Sequence, residues 1–160
     1  MKNNNGFLLN DFHIHTYLSE CCQDKALMRP VNIIRKAEAL GYKGIGFSDH
    51  YWENGFECIR KIKDDLKELH SGITILVGCE ADLFSETRYS ITPEEIRSLD
   101  LDYVILATNH FHLKDSEKPK DKKPRTAALH WLSFMRAGIL SGIADIIPHP
   151  VLNLHTMSLR

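Results

Sequence analysis

Along this chain, apolar residues switch repeatedly between a period of two and a period near 3.6. Asp11-Phe12-His13-Ile14-His15, following Phe7-Leu8-Leu9, alternates faces and predicts a strand. Ile33, Ile34, Ala37 and Leu40 recur at helical spacing, with Pro30 near the start and Gly41 as the stop, so a helix is expected over 31–40. Gly44-Ile45-Gly46-Phe47 predicts a second short strand. Phe56, Ile59, Ile62, Leu66 and Leu69 form one helical stripe, with Gly72 expected to close it. The β-branched run over 73–77 predicts a third strand ending at Gly78-Cys79-Glu80. Thr92-Pro93-Glu94-Glu95 has the form of a capping box and starts a short helix. A fourth strand is expected over 103–107, a longer helix over 124–140, and a fifth strand at Asp145-Ile146-Ile147.

The resulting βαβαβαβαβ order predicts an α/β fold with parallel strands joined by right-handed helical crossovers. At 160 residues the chain is expected to form one domain over 1–160. Twenty basic residues against 21 acidic ones leave a charge of −1, which gives no global attraction for nucleic acid or an anionic membrane. No apolar run is long enough for a spanning helix, and the first residues lack the apolar core of a secretion signal. Four cysteines, two of them adjacent at Cys21-Cys22, are too few for a disulfide scaffold, so a cytoplasmic location is expected.

Nine histidines carry the functional signal. His15, His50, Glu80, His110 and His149 each fall just past the end of an expected strand, at steps of 35, 30, 30 and 39 residues. A βα unit takes about 30 residues, so this spacing returns the chain to the same sheet end once per unit. In parallel α/β folds that end is where active sites are built. Neutral imidazole and carboxylate are good ligands for zinc, manganese and iron, and a carboxylate can bridge two ions. His13 and His15 lie two apart on one strand, so their rings project from one face toward a common ion. Asp11 shares that face and either binds metal or orients a ring; Asp49 beside His50 has a similar supporting role.

Each piece is weak by itself, and the joint placement is what carries the argument. His112 is a weaker candidate than His110 because it lies farther from the strand end. His70 reads as a surface residue at a helix C-terminus, and His130 as packing or surface. Cys21 either supplies a thiolate to a softer metal or is a small loop residue. Cys58 and Cys79 read as core. The basic loop over 113–125 emerges beside His110, and there Lys114 or Arg125 is a candidate for holding a phosphate dianion. No Gly-rich phosphate loop, nucleophile elbow or dinucleotide fingerprint is present.

Taken in order, Asp11-Phe-His13-Ile-His15-Thr16, Ser48-Asp49-His50, Gly78-Cys-Glu80, Asn109-His110 and Pro148-His149-Pro150 resemble the PHP (polymerase and histidinol phosphatase) superfamily. The resemblance spans essentially the whole chain. It implies an irregular parallel barrel of seven βα units, of which about five are present here, holding two or three divalent ions (Zn, Mn or Fe). On that resemblance His13, His15 and Glu80 hold one ion, Glu80, His50 and His110 a second, and His149 belongs to a third. Two departures stand out. Some members carry histidine where Cys21 stands, and the family ends its site with an Asp-x-His pair on a final strand. Asn153-Leu154-His155 imitates that spacing but follows His149 too closely to be a separate unit. The expectation is therefore a C-terminally incomplete domain.

The activity implied is metal-dependent hydrolysis of a small phosphomonoester, with histidinol phosphate the leading substrate and Glu80 and His110 the catalytic residues. Three other readings compete. A metal-dependent amidohydrolase also begins with His-x-His, but it usually needs a bridging lysine and a late aspartate. A PHP-type nuclease fits poorly with the near-neutral charge. A non-catalytic remnant would bind metal or a partner, and its open sheet edge would invite self-association.

Overall fold

A computed structural model of the protein describes residues 9–150. The chain falls into two compact units. One comprises the described residues through Cys79 together with Leu99–Tyr103; the other comprises Glu80–Ser98 and the described residues from Val104 onward.

The first unit is a parallel three-stranded sheet with two crossover helices. Strands β1 (Asn10–Ile14), β2 (Gly44–Phe47) and β3 (Thr74–Val77) lie in the order β1-β2-β3. Helix α1 (Pro30–Leu40) joins the first pair and α2 (Gly55–Leu66) the second. Ile14 pairs with Phe47, and Phe47 with Val77, so the three strands finish level. The ladder runs on past them, from Ser48 N–H to Ile14 O at 2.9 Å and from Gly78 N–H to Phe47 O at 2.8 Å. Residues that follow each strand are thereby delivered to one end of the sheet.

Pro30 opens α1, and Gly41 closes it in the left-handed region at φ 83°, where a Cβ would be strained. The second helix stops at Leu66, earlier than its apolar stripe predicts. Gly72 does not close it; its N–H goes to Glu38 Oε1 at 2.9 Å, and Ser71 Oγ donates to the same oxygen at 2.7 Å. Tyr103 fills the space over the sheet's glycines: a Cβ on Gly46 would lie 2.3 Å from Tyr103 Oη, and one on Gly78 would lie 2.4 Å from the Tyr103 carbonyl oxygen. The phenol donates to Phe12 O at 2.8 Å, and burial raises its pKa.

The second unit departs from the expected repeat. Before the expected short helix the chain adds strands that no signal announced: β3 runs almost directly into β4 (Cys79–Ser85), which turns back as β5 (Arg88–Tyr89) in an antiparallel hairpin. Glu80 therefore lies within a strand rather than past the end of one. Alternation through Glu80-Ala81-Asp82-Leu83-Phe84 extends the strand. The capping box forms at α3 (Pro93–Ser98), with Glu95 N–H donated to Thr92 Oγ1 at 3.2 Å and Thr92 N–H to Glu95 Oε2 at 2.8 Å.

Strand β6 (Val104–Ala107) is fully buried and completes the sheet order β5-β4-β6. Helix α4 (Pro124–Leu140) follows, with Phe134 packed against Phe111 at 5.0 Å between ring centroids and against His130 at 4.6 Å. His130 is thus a packing residue. The expected fifth strand is reduced to a parallel bridge between Ile146 and Ile105. The architecture is mixed α/β, with a parallel sheet and several βα units. Among the described residues no helix is long and apolar enough to cross a membrane.

Candidate metal centre

In the first unit the level strand ends bring three imidazoles and a thiol together. The His13 and His15 rings lie 5.2 Å apart between centroids, and His15 and His50 lie 4.5 Å apart, edge to face. His50 stacks on Trp52 at 4.3 Å with the planes 6° from parallel, which fixes its ring plane. Cys21 joins this group from the loop after β1: its Sγ is 3.1 Å from His15 Nδ1 and 3.1 Å from Ser19 Oγ. Ligand atoms of His15, Cys21 and His50 all lie within 4.8 Å of one another.

The two aspartates on these strands act on backbone. Asp11 Oδ1 accepts the N–H of His13 at 3.0 Å. Asp49 is 2% exposed and turns both oxygens on Thr16, accepting its N–H at 3.0 and 3.1 Å and its hydroxyl at 3.2 Å. That bond ties the residue after His15 to the residue before His50. Burial pushes the Asp49 carboxyl above its usual pKa, against the opposing pull of the Thr16 donors and the His15 charge.

In the second unit Glu80, 1% exposed, faces two imidazoles. His149 Nε2 is 3.1 Å from Glu80 Oε1, and His110 Nε2 is 3.9 Å from the same oxygen. Each ring is held by its other nitrogen. His110 Nδ1 donates to Asp82 Oδ1 at 2.6 Å, because an ionised carboxylate can only accept. Asn109 donates its amide to the His149 carbonyl at 3.1 Å, so its Oδ1 meets His149 Nδ1 at 3.1 Å as an acceptor. Held this way, each ring turns its Nε2 toward a buried carboxylate oxygen. Acceptor facing acceptor is unfavourable unless a proton or a cation lies between, and this donor set suits a divalent ion.

His149 sits at φ 31°, a strained conformation for a residue that also precedes a proline. Burial pulls the His110 pKa down, but the Asp82 hydrogen bond and the charges of Asp82 and Glu80 outweigh it and leave it raised.

Asp82 escaped the sequence reading, although it is 0% exposed and holds His110. Its signal was available: Glu80 and Asp82 are two apart, so a strand through both puts them on one face. Asn109 was seen only as part of a motif, without its role in orienting His149. His112 is exposed, its ring 5.3 Å from that of His110. Lys114 and Arg125 are also exposed. The loop of Lys114 is fastened by Lys118, whose ammonium donates to the Phe111 and Leu113 carbonyls, and by Glu117 N–H to Phe84 O at 2.7 Å, whereas Arg125 lies in the first turn of α4. His155 lies outside the described residues.

The chain is 32% identical over 108 residues to a probable phosphatase of Clostridium acetobutylicum, a match covering 61% of this chain and 39% of that protein. It thus spans well under two thirds of the relative's length. The PHP domain family matches residues 11–156, a stretch that includes every histidine, cysteine and carboxylate described above. The chain belongs to the PHP domain family.

Proposed function

We propose that the chain is a metal-dependent phosphomonoester hydrolase, that its strands belong to an irregular parallel (β/α) barrel, and that histidinol phosphate is the first substrate to test. The observation that carries this reading is the pair of imidazole Nε2 atoms turned on the buried Glu80 carboxylate. When bound, a divalent ion supplies Lewis acidity toward phosphoryl oxygens and acidifies its coordinated water. Glu80, His110 and His149 would hold one ion, and His13, His15 and His50, with Cys21, would supply ligands for another. Asp82 keeps the His110 proton on Nδ1 and raises the donor strength of Nε2. Asn109 does the same for His149. His112, exposed beside His110, would give a proton to a departing alkoxide. Four free cysteines support residence in the reducing cytoplasm.

Family membership and the relative's name, probable phosphatase, support the reaction class. The test is phosphate release from histidinol phosphate and a panel of small phosphomonoesters by chain reconstituted with Zn²⁺, Mn²⁺ or Fe²⁺. Glu80→Ala should abolish both metal retention and turnover; full activity in that variant would remove the mechanism. A second reading, a metal-binding portion that turns over substrate only with further polypeptide, is favoured by the 39% coverage of the relative. Stoichiometric metal without turnover would select it.

A further inference from the structure

The two donor sets differ in chemical softness, and the difference rests on one side chain. Cys21 Sγ stands 3.1 Å from His15 Nδ1, and both lie within ligand reach of His50, so this set offers one sulfur and two imidazole nitrogens. The Glu80, His110 and His149 set offers carboxylate oxygen and imidazole nitrogen only. Thiolate ligands select zinc and other thiophilic ions, whereas carboxylate and imidazole also accept manganese and ferrous iron. Three features preorganise Cys21 as a ligand. Ser19 Oγ contacts its sulfur at 3.1 Å and His15 Nδ1 at 3.3 Å. Backbone bonds from Ser19 N–H to Thr16 O and from Cys22 N–H to Ser19 O, both 3.2 Å, close the loop that carries it. Cys21 is an exposed residue, so an ion approaches it from solvent.

We propose that His15, Cys21 and His50 form a thiophilic site that takes Zn²⁺ in preference to Mn²⁺ through a Cys21 thiolate ligand. Binding transfers the Cys21 thiol proton to solvent, and the resulting thiolate forms the metal–sulfur bond without change of oxidation state. This inference deepens the proposed function and rests on its metal sites, but not on the identity of the reaction.

The test uses the whole chain, stripped of metal. Titration with Co²⁺ should give a thiolate-to-cobalt charge-transfer band. The band should vanish in Cys21→Ser and in Cys21→His and persist in Cys22→Ser. With Zn²⁺ present and Mn²⁺ in excess, elemental analysis should find one zinc per chain that resists exchange. Cys21→Ser should weaken that zinc by about 100-fold or more, since even supporting residues are worth about 10–100-fold. Cys21→His should restore zinc retention while leaving the band absent. Far-UV circular dichroism checks that each variant is folded. A wild-type protein with no such band, a band lost in Cys22→Ser alone, or a zinc-to-manganese ratio unchanged in Cys21→Ser overturns the proposal. Phosphate release is measured separately: the band without turnover on any phosphomonoester leaves this inference standing and removes the phosphatase reading.

Discussion

Removing the Asp49 carboxylate tests whether the link between two strand ends holds the first donor set together. Thr16 N–H lies between the two Asp49 oxygens and counts as one bond; the Thr16 hydroxyl adds a second. Hydrogen bonds to a charged group contribute about 1.5–3 kcal/mol each, so the pair amounts to roughly 3–6 kcal/mol. The raised Asp49 pKa shows that burial of the charge outweighs these donors, so what the truncation loses is the partner of two buried Thr16 donors, each costing about 1–3 kcal/mol when left unpaired. Asp49→Ala is therefore expected to destabilise the fold by about 2–4 kcal/mol. With a urea dependence of about 2 kcal/mol per molar, the unfolding midpoint should fall by about 1–2 M. Asp49→Asn keeps an oxygen facing Thr16 and should cost about 1 kcal/mol or less, while Thr16→Val, which removes only the hydroxyl, should cost about 1 kcal/mol. Urea unfolding followed by tryptophan fluorescence, with zinc titration of each variant, provides the assay. An Asp49→Ala midpoint within error of wild type would refute the reasoning, as would effects of Asp49→Ala and Thr16→Val that simply add.

Three further outcomes are expected. Gly46→Ala and Gly78→Ala should each cost about 1–3 kcal/mol through overpacking against Tyr103. Thermal unfolding should show Gly78→Ala as the worse, because its nearest obstacle is backbone, and should show Tyr103→Phe partly rescuing Gly46→Ala. Asp82→Ala leaves His110 Nδ1 without its acceptor and should weaken metal binding about 10–100-fold by calorimetric titration; unchanged affinity would remove Asp82 from the site. The Glu38 pKa is lowered by the Ser71 hydroxyl and the Gly72 N–H. Its stabilisation is thus complete above the ordinary glutamate pKa and lost as pH falls through the lower folded value. Urea midpoints of Glu38→Gln should accordingly decline less on acidification than those of wild type.

Much of the fold was legible because its signals are local. Pro30 and Gly41 bound α1, Pro124 opens α4, and Thr92 with Glu95 caps α3, each through contacts within a few residues. The recurrence of His15, His50, His110 and His149 near strand ends was legible for a similar reason: parallel βα units return the chain to one sheet end at a nearly constant interval. Errors arose where long-range partners took over. Gly72 reads as a helix stop but spends its N–H on Glu38, 34 residues away. Glu80 reads as a strand terminus but sits inside β4, whose hairpin no turn motif announced.

What the sequence determined alone is the inventory of donors and their periodic order, since both follow from residue identity and unit length. What only the tertiary structure decided is how each donor is used. It gave Asp82 to His110 and Asn109 to His149, and it brought Cys21 to His15 while turning Asp49 away to Thr16. The physical reason is that a ring nitrogen's role is set by whatever meets the opposite nitrogen, and that partner comes from strand register and side-chain packing, which no spacing along the chain encodes.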